Sequence, residues 1–130
     1  MRPTPTFEKW IPLDKVTQSY DVDNVYYGKA GITFSLIPDG PGVHEHYPKL
    51  LLTWEDILSY KISKEEYCPE HWAQSPDSAW TFYVSKASPY LDEFKSTSEL
   101  FPEDSIHFLL IGTNLIADVL ATNYPAVSFK

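Results

Sequence analysis

Several groupings of residues in this chain are of types that do chemistry. The first is His44-Glu45-His46. In an extended segment His44 and His46 project to the same side, as two imidazoles must to share one metal ion. A zinc site needs a third ligand, and Cys68 with His71, spaced C-x-x-H, is the obvious supply. The plainer reading is a pair of solvated histidines beside the Pro38-Asp39-Gly40-Pro41-Gly42 turn. Cys68 as a nucleophile is the second grouping. Its neighbours Glu66 and Glu70 disfavour the thiolate, which argues for a loop residue with no chemical role.

His107 and Asp118 are the third. They fall within Ser105–Ala121, SIHFLLIGTNLIADVLA, the most apolar run of the chain, which carries a turn signal at Gly112-Thr113-Asn114. A two-residue loop at Thr113-Asn114 sets Leu109 opposite Asp118 and Ile111 opposite Ile116. Ile106, Phe108, Leu110, Leu115, Ala117, Val119 and Ala121 then share one wholly apolar face. His107, Leu109, Ile111, Ile116, Asp118 and Leu120 share the other. Both faces are apolar enough for central strands covered on both sides. A helix over 115–121 is the alternative. His107 and Asp118 lie diagonally on adjacent strands, and such a pair can orient a general base. No serine or cysteine is placed by the sequence to complete a triad, so a buried polar pair is the expectation.

The aromatic residues Trp54, Tyr60, Trp72, Trp80, Tyr83 and Tyr90 are expected mostly in the core. Trp72 differs, because it lies in a polar loop with Pro69, Pro76 and Asp77. There it is either a plug on the core or an exposed anchor for a partner. Trp72, Glu66, Glu70 and Asp77 are therefore the candidate binding residues. Glu65, Asp92, Glu93, Glu99, Glu103 and Asp104 extend this acidic character through the second half of the chain. They form either a solvated surface or a negative face that steers a basic partner.

The elements that must position these groups are short. Residues 1–12, with Pro3, Pro5 and Pro12, read as an extended lead-in. Asp21-Val22-Asp23-Asn24 reads as a turn, and Val25-Tyr26-Tyr27 and Ile32–Ile37 as a hairpin. Lys49–Trp54, Ser59–Ser63 and Trp80–Ser85 read as strands. Ser88-Pro89 is a helix start, with serine as cap and proline at the first position, so 89–96 is a short helix. Val127 and Phe129 close the chain as an edge strand or tail. The expected fold is α+β: a mostly antiparallel sheet of about six strands with one or two short helices, in a single domain spanning 1–130.

Composition narrows the function classes. The 130 residues carry eighteen acids against ten bases, a net charge of −8. Arg2 is the sole arginine. A phosphate-binding surface needs the opposite balance, so nucleic acid is disfavoured and a basic protein partner fits better. One cysteine excludes an internal disulfide and suits a reducing cytosol. The N-terminal MRPTPTFEKW has no apolar stretch of signal-peptide type, and no segment is apolar enough to span a bilayer. The sequence contains no Walker loop, GxGxxG, HExxH, GxSxG or CxxC. No cofactor is expected, and catalysis is less expected than binding.

In general character, acidic, cytosolic and rich in tryptophan and tyrosine, the chain resembles small bacterial immunity proteins, the neutralising partners of secreted toxins. The resemblance implies a toxin as the partner and assigns no site residues. The leading expectation is a non-catalytic protein-binding domain. A small-ligand or metal-binding domain built on His44 and His46 is the alternative. A homodimer through the C-terminal strand is a third reading.

Overall fold

The computed structural model describes residues 7–12, 19–39, 47–64, 80–112 and 115–129. Alternation dominates the described chain. In Gly31–Pro38 every second residue is buried, and Leu50–Trp54 repeats the pattern with Leu50, Leu52 and Trp54 inward. Such a period of two lets one face of a strand enter a core while the other meets solvent. The described residues form nine strands: β1 (Glu8–Lys9), β2 (Tyr20–Gly28), β3 (Gly31–Pro38), β4 (Leu50–Trp54), β5 (Ser59–Lys64), β6 (Phe82–Ser85), β7 (Ile106–Ile111), β8 (Leu115–Ala121) and β9 (Ala126–Phe129). One helix, α1 (Pro89–Thr97), lies between β6 and β7.

The strands make two antiparallel sheets. One has five strands in the order β1-β6-β7-β8-β5, and the other four in the order β2-β3-β4-β9. This corrects the α+β expectation, since the protein is nearly all-β. Two features of the chain produce the difference. The start at Ser88-Pro89 nucleates only a nine-residue helix, too small to form a layer of its own. And Asp21–Asn24, expected as a turn, continues β2: the pairing with β3 slips between Val22 and Asn24, so Asp23 is accommodated as a bulge. Residues 115–121 form strand β8, as the hairpin reading expects and not the alternative helix.

The core lies between the sheets. Tyr20, Ile32, Phe34, Leu36, Leu52 and Trp54 of the four-stranded sheet meet Phe82, Phe108, Leu110, Ala117 and Val119 of the other. Phe108 is its hub, edge-on to Trp54 at 5.2 Å, Tyr124 at 5.1 Å and Trp10 at 5.6 Å. β2 runs obliquely over the five-stranded sheet. The Tyr20 amide at its start donates to Thr81 Oγ1 beside β6, whereas Tyr27 near its end stacks on Tyr60 of β5, three strands away. The two layers therefore cross rather than align. Of the aromatic residues expected in the core, Trp54 and Tyr83 are fully buried, Trp80 and Tyr90 are half-buried, and Tyr60 is exposed at this corner.

The β2–β3 turn depends on Gly31. Its φ is +108°, and a Cβ there would lie 2.0 Å from the carbonyl oxygen of Trp54. Both the backbone angle and the contact require glycine.

The hairpin β7–β8 has the expected register, with Leu109 opposite Asp118, Leu110 opposite Ala117 and Ile111 opposite Ile116. Its second face is also covered, and Leu109, Ile111 and Ile116 gather there with Phe7 and Tyr83 in a smaller apolar cluster. The strands are central, as two apolar faces require.

Candidate functional site

The covered outer face of the five-stranded sheet holds the most connected polar group among the described residues. Period-two alternation puts His107 of β7 and Asp118 of β8 on this face. Their diagonal relation brings His107 Nε2 to 2.6 Å from Asp118 Oδ1. The helix start supplies the third member. Ser88 caps α1, accepting the Leu91 amide at 3.2 Å, and the same Oγ lies 2.7 Å from His107 Nδ1. Phe7 and Tyr90 close over the imidazole, both edge-on, with centroids 5.0 and 5.3 Å from it.

A carboxylate oxygen only accepts, so the short contact to Asp118 Oδ1 is donated by His107 Nε2. Ser88 Oγ accepts the Leu91 amide and still has a hydrogen and a second lone pair, so the direction of its bond with His107 Nδ1 follows the protonation of the ring. Ser88 and Asp118 are wholly buried, and His107 nearly so. Tyr90 extends the network towards solvent: its hydroxyl lies 2.6 Å from Ser59 Oγ, and the Lys61 ammonium sits 4.5 Å from its ring. Lys61 is also the β5 residue opposite Asp118. Burial raises the Tyr90 pKa above its ordinary value. The charges of Asp118 and Glu93 push the same way, and the Ser59 hydrogen bond opposes them.

Serine, histidine and aspartate in contact invite comparison with a hydrolase triad. The geometry does something else. The serine faces Nδ1 and the aspartate Nε2, and the hydroxyl oxygen is committed to a helix amide beneath a buried surface. A nucleophile needs an oxygen that a substrate can reach. What the arrangement does is fasten the first turn of α1 to the centre of the sheet. Sequence reasoning found His107, Asp118 and the Ser88 cap separately. It missed that Ser88 completes the chain, because nothing local reports where a helix start lands.

The second candidate is a surface. From α1 to β7 the chain exposes Asp92, Glu93, Glu99, Glu103 and Asp104, and in their midst Leu100 is 90% exposed. Phe101, half-buried, packs on Phe94 of the helix at 5.8 Å, which folds the connection back along α1. A cleft of about 400 Å³ opens between them, with Leu91 and Phe101 as its apolar lining and Asp92, Glu103, Lys86 and Lys95 at its walls. The segment thus presents five carboxylates against one ammonium group, Lys95, with Lys86 across the cleft.

The remaining candidates from the sequence, His44, His46, Glu66, Cys68, Glu70, His71, Trp72 and Asp77, lie outside the described residues. Among the described residues, no group of three or more His, Cys, Asp or Glu side chains could hold a metal ion. No helix among them is long and apolar enough to cross a membrane. Comparisons of the chain with protein-family models, with curated proteins and with solved structures found no match.

Proposed function

We propose that this protein is a non-catalytic binding domain that engages a basic protein through the acidic surface between α1 and β7. Leu100, 90% exposed and bracketed by Glu99, Glu103 and Asp104, is the observation that carries the reading. An isolated leucine held in water gains nothing by folding. Placed on a partner it becomes an apolar anchor, and surrounding carboxylates steer and orient a cationic surface towards it. The net charge of −8 adds a long-range attraction for the same class of partner. The closed Ser88–His107–Asp118 group supports the reading, because it uses the chain's buried polar chemistry to anchor the helix that carries this surface. Trp72, Glu66, Glu70 and Asp77 join the binding residues on sequence grounds. A secreted toxin neutralised in the cytosol is the partner that the resemblance to immunity proteins suggests.

The test is affinity capture from the source organism at low salt, followed by titration of the recovered protein. The expected result is a basic protein held near one-to-one and released as salt rises. Its affinity falls on Leu100→Ala, on Glu99→Lys/Glu103→Lys and on Trp72→Ala. A partner indifferent to all three substitutions would overturn the proposal.

A further inference from the structure

Tyr27 and Tyr60 meet at the corner where the two sheets cross. Tyr27 lies near the end of β2 in one sheet and Tyr60 in β5 of the other, and their rings stack with centroids 5.8 Å apart and planes 19° apart. Alternation produces the meeting. Tyr27 is opposite Ile32 and Tyr60 opposite Val119, both core residues, so each side chain leaves its strand on the inward face. The corner is open, and the two residues stand 61% and 42% exposed while their rings stay in contact. Offset stacking favours such a pair. It also keeps two oxidisable phenols side by side and within reach of solvent.

We propose that Tyr27 and Tyr60 form a site of oxidative cross-linking, coupled ring to ring as a dityrosine by a haem peroxidase using hydrogen peroxide. Each phenol gives up one electron and one proton and becomes a phenoxyl radical. The two radicals join through the carbons ortho to their oxygens. Each ortho carbon then releases its hydrogen as a proton and each oxygen takes one up, so both hydroxyls are restored. The two electrons and two protons removed reduce one hydrogen peroxide to two waters. Proximity favours this pair over coupling between molecules, because the second ring is already in contact with the first. The new bond ties β2 to β5, and so one sheet to the other. A single cysteine leaves the chain no internal disulfide, and the tyrosine pair offers a covalent staple in its place. Tyr26 separates contact from mere exposure. It is 68% exposed, more than either member of the pair, but it projects from the other face of β2, opposite Thr33. It is open to oxidation and faces away from Tyr60.

The test treats the full chain at low concentration with a haem peroxidase and hydrogen peroxide. The monomer is then isolated by size exclusion and read by dityrosine fluorescence and mass spectrometry. The expected product is a monomer lighter than the untreated chain by two hydrogen atoms, whose digest joins the peptides of Tyr27 and Tyr60. Tyr27→Phe and Tyr60→Phe each abolish the monomer fluorescence. Both variants keep the stacked ring, so the fold is retained, which far-UV circular dichroism checks. Tyr26→Phe leaves the fluorescence unchanged. The cross-linked monomer unfolds at a higher urea concentration than the untreated protein, because the bond restricts the unfolded chain between 27 and 60. A monomer without dityrosine, or dityrosine found in dimers alone, would overturn the proposal. So would monomer fluorescence that persists in Tyr27→Phe or is lost in Tyr26→Phe.

Discussion

His107 and Asp118 approach to 2.6 Å across β7 and β8, although neither is the other's partner in register: His107 is opposite Leu120 and Asp118 opposite Leu109. The diagonal is spanned because both side chains are buried on one face and Ser88 holds the far side of the ring. A buried carboxylate and imidazole are costly to leave without each other, so the pair is best probed by removing one member at a time. Asp118→Ala is expected to destabilise by about 3 kcal/mol or more, since it strands a buried ring N–H. Asp118→Asn, whose amide oxygen can still accept from Nε2, costs about 1 kcal/mol. Urea unfolding of the two variants measures the difference, and equal losses would refute the hydrogen-bond account.

Nitrogen-15 shifts of His107 read the direction of the Ser88 bond. A proton on Nε2 alone means that Ser88 donates to Nδ1, and protons on both nitrogens mean that Ser88 Oγ accepts a second hydrogen bond. Loss of the Nε2 proton signal in Asp118→Ala, with Nδ1 little changed, is expected if Asp118 is its acceptor.

Ser88 serves two partners, the Leu91 amide and His107 Nδ1. Ser88→Ala removes both contacts and leaves an orphaned helix amide. The expected loss is about 2 kcal/mol, the upper end for a cap. Hydrogen exchange at Leu91 should accelerate more than exchange at Leu110 in the central strand, which distinguishes local release of α1 from general destabilisation.

Gly31→Ala should be among the most damaging single changes on the surface of this protein. Its φ of +108° is unfavourable for alanine, and the new methyl would meet the Trp54 carbonyl oxygen at 2.0 Å. A loss of about 3 kcal/mol or more is expected in thermal or urea unfolding. Leu100→Ala, by contrast, should change stability by less than about 0.5 kcal/mol, because the side chain is almost fully exposed.

Tyr90 makes stability depend on alkaline pH. Its folded pKa lies above the ordinary 10.0. The folded state therefore holds the phenol proton more tightly than the unfolded chain does. The stabilisation is fully present below pH 10 and is lost as pH rises through the folded value. Tyr90→Phe should flatten this part of the profile, measured by urea unfolding at successive pH values.

Much of this fold is legible residue by residue. The period of two in Ile106–Ile111 and Leu115–Ala121 sorts every side chain of the hairpin onto its observed face, because pleating leaves no other choice once a turn sets the register. The Ser88-Pro89 pair likewise announces the start of α1, since the cap chemistry is local. Asp21–Asn24 misleads for a physical reason. Its polar residues suit a turn, yet pairing with β3 carries the strand through and absorbs the surplus residue as a bulge. The division into two crossing sheets, and with it the correction from α+β to nearly all-β, depends on which strands find each other over long separations. β4 pairs with β9 and β5 with β8, which no window of sequence encodes. The same holds for the polar site. Alternation and capping determined that His107, Asp118 and Ser88 would each be held in place. Only packing of α1 on the sheet decided that they would touch, because a contact between segments separated by a connection is set by the whole core and not by either segment alone.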